Sequence, residues 1–115
     1  MQRVISVCEK NIYADPPKVI TVAAATPVDL LPDMTESVGG GVGEIAFRSI
    51  QNIGTDSLYY AFNADANPSA CHGVLAPDVN TFGGGQLEGY GCQRISGYST
   101  NGTMVAVTIF RRIGL

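Results

Sequence analysis

The sequence predicts an all-β protein, a single antiparallel β-sandwich of jelly-roll-like form with about seven or eight short strands. Three observations predict it. No segment carries apolar residues at i, i+3, i+4 and i+7 through two turns, so no amphipathic helix is encoded. Turn-forming residues recur at intervals of about 8 to 15 residues, which is the spacing of short strands. Leu58 to Phe62 and Val105 to Ile109 are period-two segments, the side-chain repeat of a strand. At 115 residues the chain has the length of one domain. Residues 1–15 read as an extended N-terminal arm or edge strand and residues 16–115 as the sandwich.

The elements follow in order. Pro16-Pro17 disfavours helix for the residue before it, which leaves Met1 to Asp15 extended and able to reach a neighbour. KVITVAAATPVDLL, from Lys18, begins β-branched and predicts a strand that bends or ends at Pro27, since proline cannot donate to a central ladder. Residues 31–44 form a glycine-rich loop. In EIAFRSIQNI, Ile45 and Phe47 share a face that Ile50 opposes, so a β-bulge near Arg48 and Ser49, or a strand buried on both sides, is expected. SLYYAFN is the next strand, and the four residues 54–57 between the two suit a β-hairpin.

Residues 64–80 are mostly loop, punctuated by Asn67-Pro68, His72-Gly73 and Pro77-Asp78, with a weak strand from Gly73 to Ala76. Short strands follow in QLEGYG and CQRISGYS. In TMVAVTIF both rows are largely apolar: Val105, Val107 and Ile109 on one side, Met104, Ala106, Thr108 and Phe110 on the other. That predicts a central strand buried on two sides, or one side covered by another subunit. Asn101-Gly102 just before it is a strong hairpin signal; as a glycosylation sequon, Asn101-Gly102-Thr103 lacks the secretory context it would need.

Composition narrows the function classes. Hydrophobic residues are 45%, enough for a packed core, while charged residues are only 15%, which leaves an exterior of neutral side chains or one covered by partners. Net charge is −3, and Arg3, Lys10, Lys18, Arg48, Arg94, Arg111 and Arg112 are dispersed, so no basic stripe for nucleic acid exists. The longest strongly apolar run, Val19 to Ala25, falls far short of the roughly 20 residues a membrane helix needs, so no membrane insertion is expected. Val4 to Cys8 is broken by Ser6 and followed by Glu9 and Lys10, a poor export signal, and synthesis in a cytoplasm is the expectation.

Chemistry is sparse. Cys8, Cys71 and Cys92 are odd in number and form no C-x-x-C pair, so three free thiols are expected. Cys71, His72 and Cys92 lack a fourth metal ligand, and adjacent residues point to opposite sides of a strand, so no metal is expected. The lone His72 follows Cys71 directly, a poor arrangement for nucleophile and base. Gly39 to Gly43 lacks the GK[ST] ending of a phosphate loop, and Glu44 would repel a phosphate. Asp29 with Asp33, or Asp65 with Asp78, read as solubilising carboxylates. Tyr13, Tyr59, Tyr60, Tyr90 and Tyr98 could form a sugar-stacking platform, yet Tyr59 and Tyr60 face opposite ways and cross-strand packing explains them. The sequence therefore assigns no catalytic, cofactor or metal residue, and an enzyme is not expected.

The runs SIQNIGTDSLYYAFN, GVLAP, GGGQLEG, RISGYS and TMVAVTIF together resemble small virion proteins of tailed and icosahedral bacteriophages. The resemblance spans Ile45 to Phe110. It is a rhythm of strand and turn residues, and Cys71-His72 lies outside it. It implies a β-sandwich that decorates, cements or projects from a capsid as a homo-oligomer, made in the host cytoplasm and resident in the virion. The partners implied are further copies, as a homotrimer or homopentamer, and a major capsid protein. The alternative is a stand-alone glycan- or ligand-binding β-sandwich, for which a host-surface glycan would be the ligand.

Overall fold

The computed structural model describes residues 12–32, 44–78, 84–89 and 93–112. Cys8, Asp33, Tyr90, Cys92, the glycines at 39–43 and most of the expected N-terminal arm lie outside them. The described chain is all-β, with nine strands: β1 (Ile12–Ala14), β2 (Lys18–Val22), β3 (Val28–Leu31), β4 (Glu44–Asn52), β5 (Leu58–Phe62), β6 (Gly73–Leu75), β7 (Gln86–Gly89), β8 (Ile95–Tyr98) and β9 (Thr103–Arg112).

They form two antiparallel sheets. Sheet I runs β1-β9-β4-β7, with β2 also on β9, and sheet II runs β3-β8-β5-β6. The pairs are nested: β2 with β9, β3 with β8, β4 with β7 and β5 with β6. A ribbon folded back on itself in this way and wrapped into two sheets is a jelly roll.

β1 and β2 share one edge of β9. Ile12–Ala14 pairs with Phe110 to Arg112, and Lys18–Val22 pairs with Thr103 to Val107. Between them Pro16 and Pro17 have no N–H to offer, which interrupts the edge. Asp15 closes the gap: its N–H donates to the Ile109 carbonyl at 2.8 Å, and its carboxylate accepts from Arg111 Nε at 3.0 Å through each oxygen.

Nesting corrects both expected hairpins. β4 and β5 lie in different sheets, so residues 54–57 bridge the sandwich instead of closing a hairpin. Asn101-Gly102 likewise carries the chain from β8 in sheet II to β9 in sheet I, with Gly102 at φ +97°, where a Cβ is strained. Turn chemistry marks where the chain reverses. Which sheet receives it depends on burying two apolar faces against each other.

The bulge is also displaced. Register between β4 and β9 shifts between Ile45 and Phe47, not at Arg48 and Ser49. From there Arg48, Ile50 and Asn52 form the inner row, and all three are buried. Phe47 turns outward and stacks on its cross-strand partner Phe110, ring centroids 4.4 Å apart. The core lies between the sheets and contains Val22, Leu30, Leu31, Ile50, Leu58, Leu75, Ile95, Val105 and Val107. β8 contributes Gly97 opposite these side chains: a Cβ there would stand 2.8 Å from Leu30 Cδ1 and 2.9 Å from Leu58 Cδ1.

Candidate functional site

Each end of the molecule and each outer sheet face was a possible location for function. At the end where β4 and β8 cross to their following strands, Asn52 is fully buried and uses its whole amide. Its Nδ2 donates to the carbonyls of Asp56 (2.8 Å) and Leu75 (3.1 Å), and its Oδ1 accepts from Gly54 N–H and the Thr103 hydroxyl. Beside it, the buried Ser99 hydroxyl donates to Asp56 Oδ2 at 2.7 Å, and Asn101 N–H donates to the same oxygen. The Ser99 contact, then the Asn101 one, holds the Asp56 carboxyl below the ordinary aspartate range. This end is a structural clasp, every polar atom of Asn52 being engaged.

Beside Arg48, Ser49 and Ile50 of β4 a cleft of about 210 Å³ opens between the sheets, lined also by Leu31, Phe62, Leu87 and Ile95. Arg48 donates to the carbonyls of Pro32 (3.2 Å) and Gln93 (2.6 Å), tying β3 and the start of β8 to β4. The sequence reading missed this inward arginine. Its signal was the in-phase row Arg48-Ile50-Asn52, concealed because the phase was set from Ile45 and Phe47 across the bulge.

Outside sheet II the chain covers the end of the sheet around Ser96, while Val74 on β6 stays 51% exposed. Ser96, fully buried, accepts from Ala66 N–H (2.8 Å) and donates to the Ala64 carbonyl, which presses the loop at 63–70 onto the sheet and buries Ala66 completely. Arg94 bridges Asp29 and Asp65, and these two contacts, Asp65 foremost, raise its pKa above the ordinary arginine value. The structure thus joins Asp29 to Asp65 through a cation, and Asp33 lies outside the described residues.

The described tyrosines, Tyr13, Tyr59, Tyr60 and Tyr98, do not converge on one face. Tyr59 and Tyr98 are direct cross-strand partners with rings 6.3 Å apart, while Tyr60 turns inward against the core and meets Phe62 edge-on at 5.9 Å. Tyr13 lies on β1 of the other sheet. His72 has a structural partner: its Nδ1 accepts from Phe62 N–H at 3.1 Å and its ring lies 5.3 Å from that of Phe62. Cys71 beside it is free and exposed, and no cluster of three or more metal-ligating side chains occurs among the described residues.

Outside sheet I the outer row of β9 continues sideways into β2 and β4. Met104 is 44% exposed and Val19 52%, with Ala106, Thr108, Phe110 and Phe47 half-buried beside them. Among the described residues no strand lies over this face. β9 is therefore central in its sheet, and among the described residues its outer row is half-buried at Ala106, Thr108 and Phe110 and exposed at Met104. No family model, curated protein or solved structure matches the chain.

Proposed function

We propose that this chain is a structural protein of a bacteriophage virion, decorating, cementing or projecting from the capsid as a homo-oligomer. The observation that carries the reading is the outer face of sheet I, apolar or neutral in the described outward residues of β2, β9 and β4, a surface of the kind that marks an interaction site on a small domain. Two further features support it. The run from Ile45 to Phe110 has the strand-and-turn rhythm of small virion proteins, and jelly rolls serve as capsid building blocks, an analogy of fold alone. Its partners in this reading are copies of itself, as a trimer or pentamer, and a major capsid protein.

A second reading, a stand-alone glycan- or ligand-binding sandwich, is favoured by the cleft beside Arg48 and by the use of jelly rolls in lectins. Purified particles separate the two. Under the virion reading the chain bands with intact particles in a density gradient and has an oligomeric mass when expressed alone. A monomer that is absent from particles and binds a glycan saturably overturns it.

A further inference from the structure

Asn101 is the one asparagine in the chain that is followed by glycine. That pairing has a chemistry of its own. A main-chain nitrogen can attack the side-chain carbonyl of the asparagine before it, and glycine, with no side chain, leaves its nitrogen unshielded. Asn101 is exposed and Gly102 half-buried at the crossing from β8 to β9, so water reaches the amide. Asn52, by contrast, is buried, is followed by Ile53 and has its amide engaged by four partners.

The crossing ties down both N–H groups of the pair. Gly102 N–H donates to Ser99 Oγ at 3.2 Å, the Ser99 hydroxyl donates to Asp56 Oδ2 at 2.7 Å, and Asn101 N–H donates to that same oxygen at 3.0 Å. The Asn101 side-chain amide also hydrogen-bonds the Asp56 carboxylate. Ser99 is itself fixed, being fully buried with its carbonyl accepting from Ala25 N–H at 2.8 Å. We infer that Asn101 is a site of spontaneous deamidation, restrained in the folded chain by the hydrogen bonds that Ser99 and Asp56 accept, and that the carboxylate it produces loosens the clasp.

The steps balance with water as the only co-reactant. Gly102 nitrogen loses its proton to solvent and bonds to Asn101 Cγ. The bond from Cγ to Nδ2 then breaks, and ammonia leaves with a proton returned from solvent. A cyclic imide remains, in which Gly102 nitrogen is bonded to both Asn101 carbonyl carbons. Water adds to one of these and the ring opens. Opening at Cγ gives aspartate, and opening at the main-chain carbonyl gives isoaspartate, whose main chain runs through the side-chain carbon.

Restraint and consequence both follow from the same contacts. Ring closure removes the proton that Gly102 gives to Ser99 and turns the nitrogen toward Asn101 Cγ, so the bond to Ser99 is lost before the imide forms. The product then replaces an amide that donates to Asp56 with a second carboxylate beside it, and like charges so close oppose each other. Since water alone is needed, the reaction is independent of where the protein works.

The test incubates the full chain at neutral pH and follows position 101 by peptide mapping that separates asparagine, aspartate and isoaspartate. Folded wild type should convert at least about 5-fold more slowly than the same chain unfolded in urea, the factor that one hydrogen bond of ordinary strength imposes on a barrier. Ser99→Ala and Asp56→Ala, each checked by far-ultraviolet spectrum, should convert faster than wild type while folded. The urea comparison decides the matter if neither variant folds. Asn101→Asp should unfold at a lower urea concentration than Asn101→Ser, which loses the amide without adding charge. No conversion in urea, or equal rates in folded and unfolded wild type, overturns the inference. Folded variants that convert more slowly than wild type also overturn it, because Ser99 and Asp56 would then be drawing the proton from Gly102 instead of holding it. An Asn101→Asp chain as stable as Asn101→Ser shows that the new carboxylate leaves the clasp intact and refutes the consequence.

Discussion

Over sheet II the chain turns back on itself, so that Ser96 disappears under the loop at 63–70 and Arg94 locks that loop to β3 through Asp65 and Asp29. Over sheet I the described chain does nothing comparable, and a row of valine, methionine, alanine, threonine and phenylalanine faces outward. Both sheets send apolar side chains into one core, Ile50, Val105 and Val107 from sheet I and Leu31, Leu58 and Ile95 from sheet II. What differs is polar commitment: sheet II uses buried hydrogen bonds to fasten its cover, and sheet I keeps its polar investment at the clasp and along the edge held by Asp15. The apolar row that holds Val19 and Met104 stays in water until something displaces it.

The largest effect should come from the clasp, where the two sheets are joined. Asn52 belongs to sheet I but donates to Leu75 in sheet II and to the crossing at Asp56. Asn52→Ala leaves two carbonyls, the Gly54 N–H and the Thr103 hydroxyl without that partner in a dry interior. Each stranded group carries a desolvation penalty, and the expected loss is about 3 kcal/mol or more. Urea unfolding should show a lowered midpoint with an unchanged slope. A loss within about 0.5 kcal/mol would mean that the sheets are held together by apolar packing alone.

The fold was legible where residues speak through period and turn chemistry. Leu58, Tyr60 and Phe62 face inward as their alternation requires, and β9 carries the two rows read from its sequence. Sheet membership was not legible, because a jelly roll alternates consecutive strands between sheets and uses the same Gly, Asn and Asp residues for crossings as a meander uses for hairpins. Asn52 and Ser96 were also silent. A buried polar residue in a strand reads as a surface one until its partners are known, and theirs come from elsewhere in the sequence: Leu75 and Thr103 for Asn52, Ala64 and Ala66 for Ser96. The outer face of sheet I was visible as the second apolar row of β9, but its extension across Val19 and Phe47 depends on the register of three strands.

A smaller effect should make the two outer faces more alike. Ser96→Ala removes the hydroxyl that accepts from Ala66 N–H and donates to the Ala64 carbonyl, so the cover over sheet II loses its central fastening while the inner core is untouched. The expected cost is about 1–3 kcal/mol. Hydrogen exchange should locate it: protection falls at Ala66 and across the loop at 63–70, with β9 and β4 unchanged. If protection instead falls uniformly, the loop is an integral part of the fold and not a separable cover.

The smallest effect concerns pH at the clasp. Asp56 accepts from the Ser99 hydroxyl and from Asn101 N–H, and these bonds favour the carboxylate, so its pKa in the folded chain lies below the ordinary value of 3.8. A depressed carboxyl pKa stabilises the folded state in full above the unfolded pKa, and that contribution is lost as the pH falls through the folded one. The window therefore lies below about pH 4, and nothing at Asp56 should change between pH 5 and pH 8. Other carboxylates titrate in the same range, which makes the difference between wild type and Asp56→Asn the informative quantity. That difference in urea midpoint should be constant from neutral pH to about pH 5 and shrink on further acidification, because protonation takes from wild type the charge that the variant already lacks. A difference that persists unchanged to pH 2 would assign the role of Asp56 to the geometry of its hydrogen bonds instead of its charge.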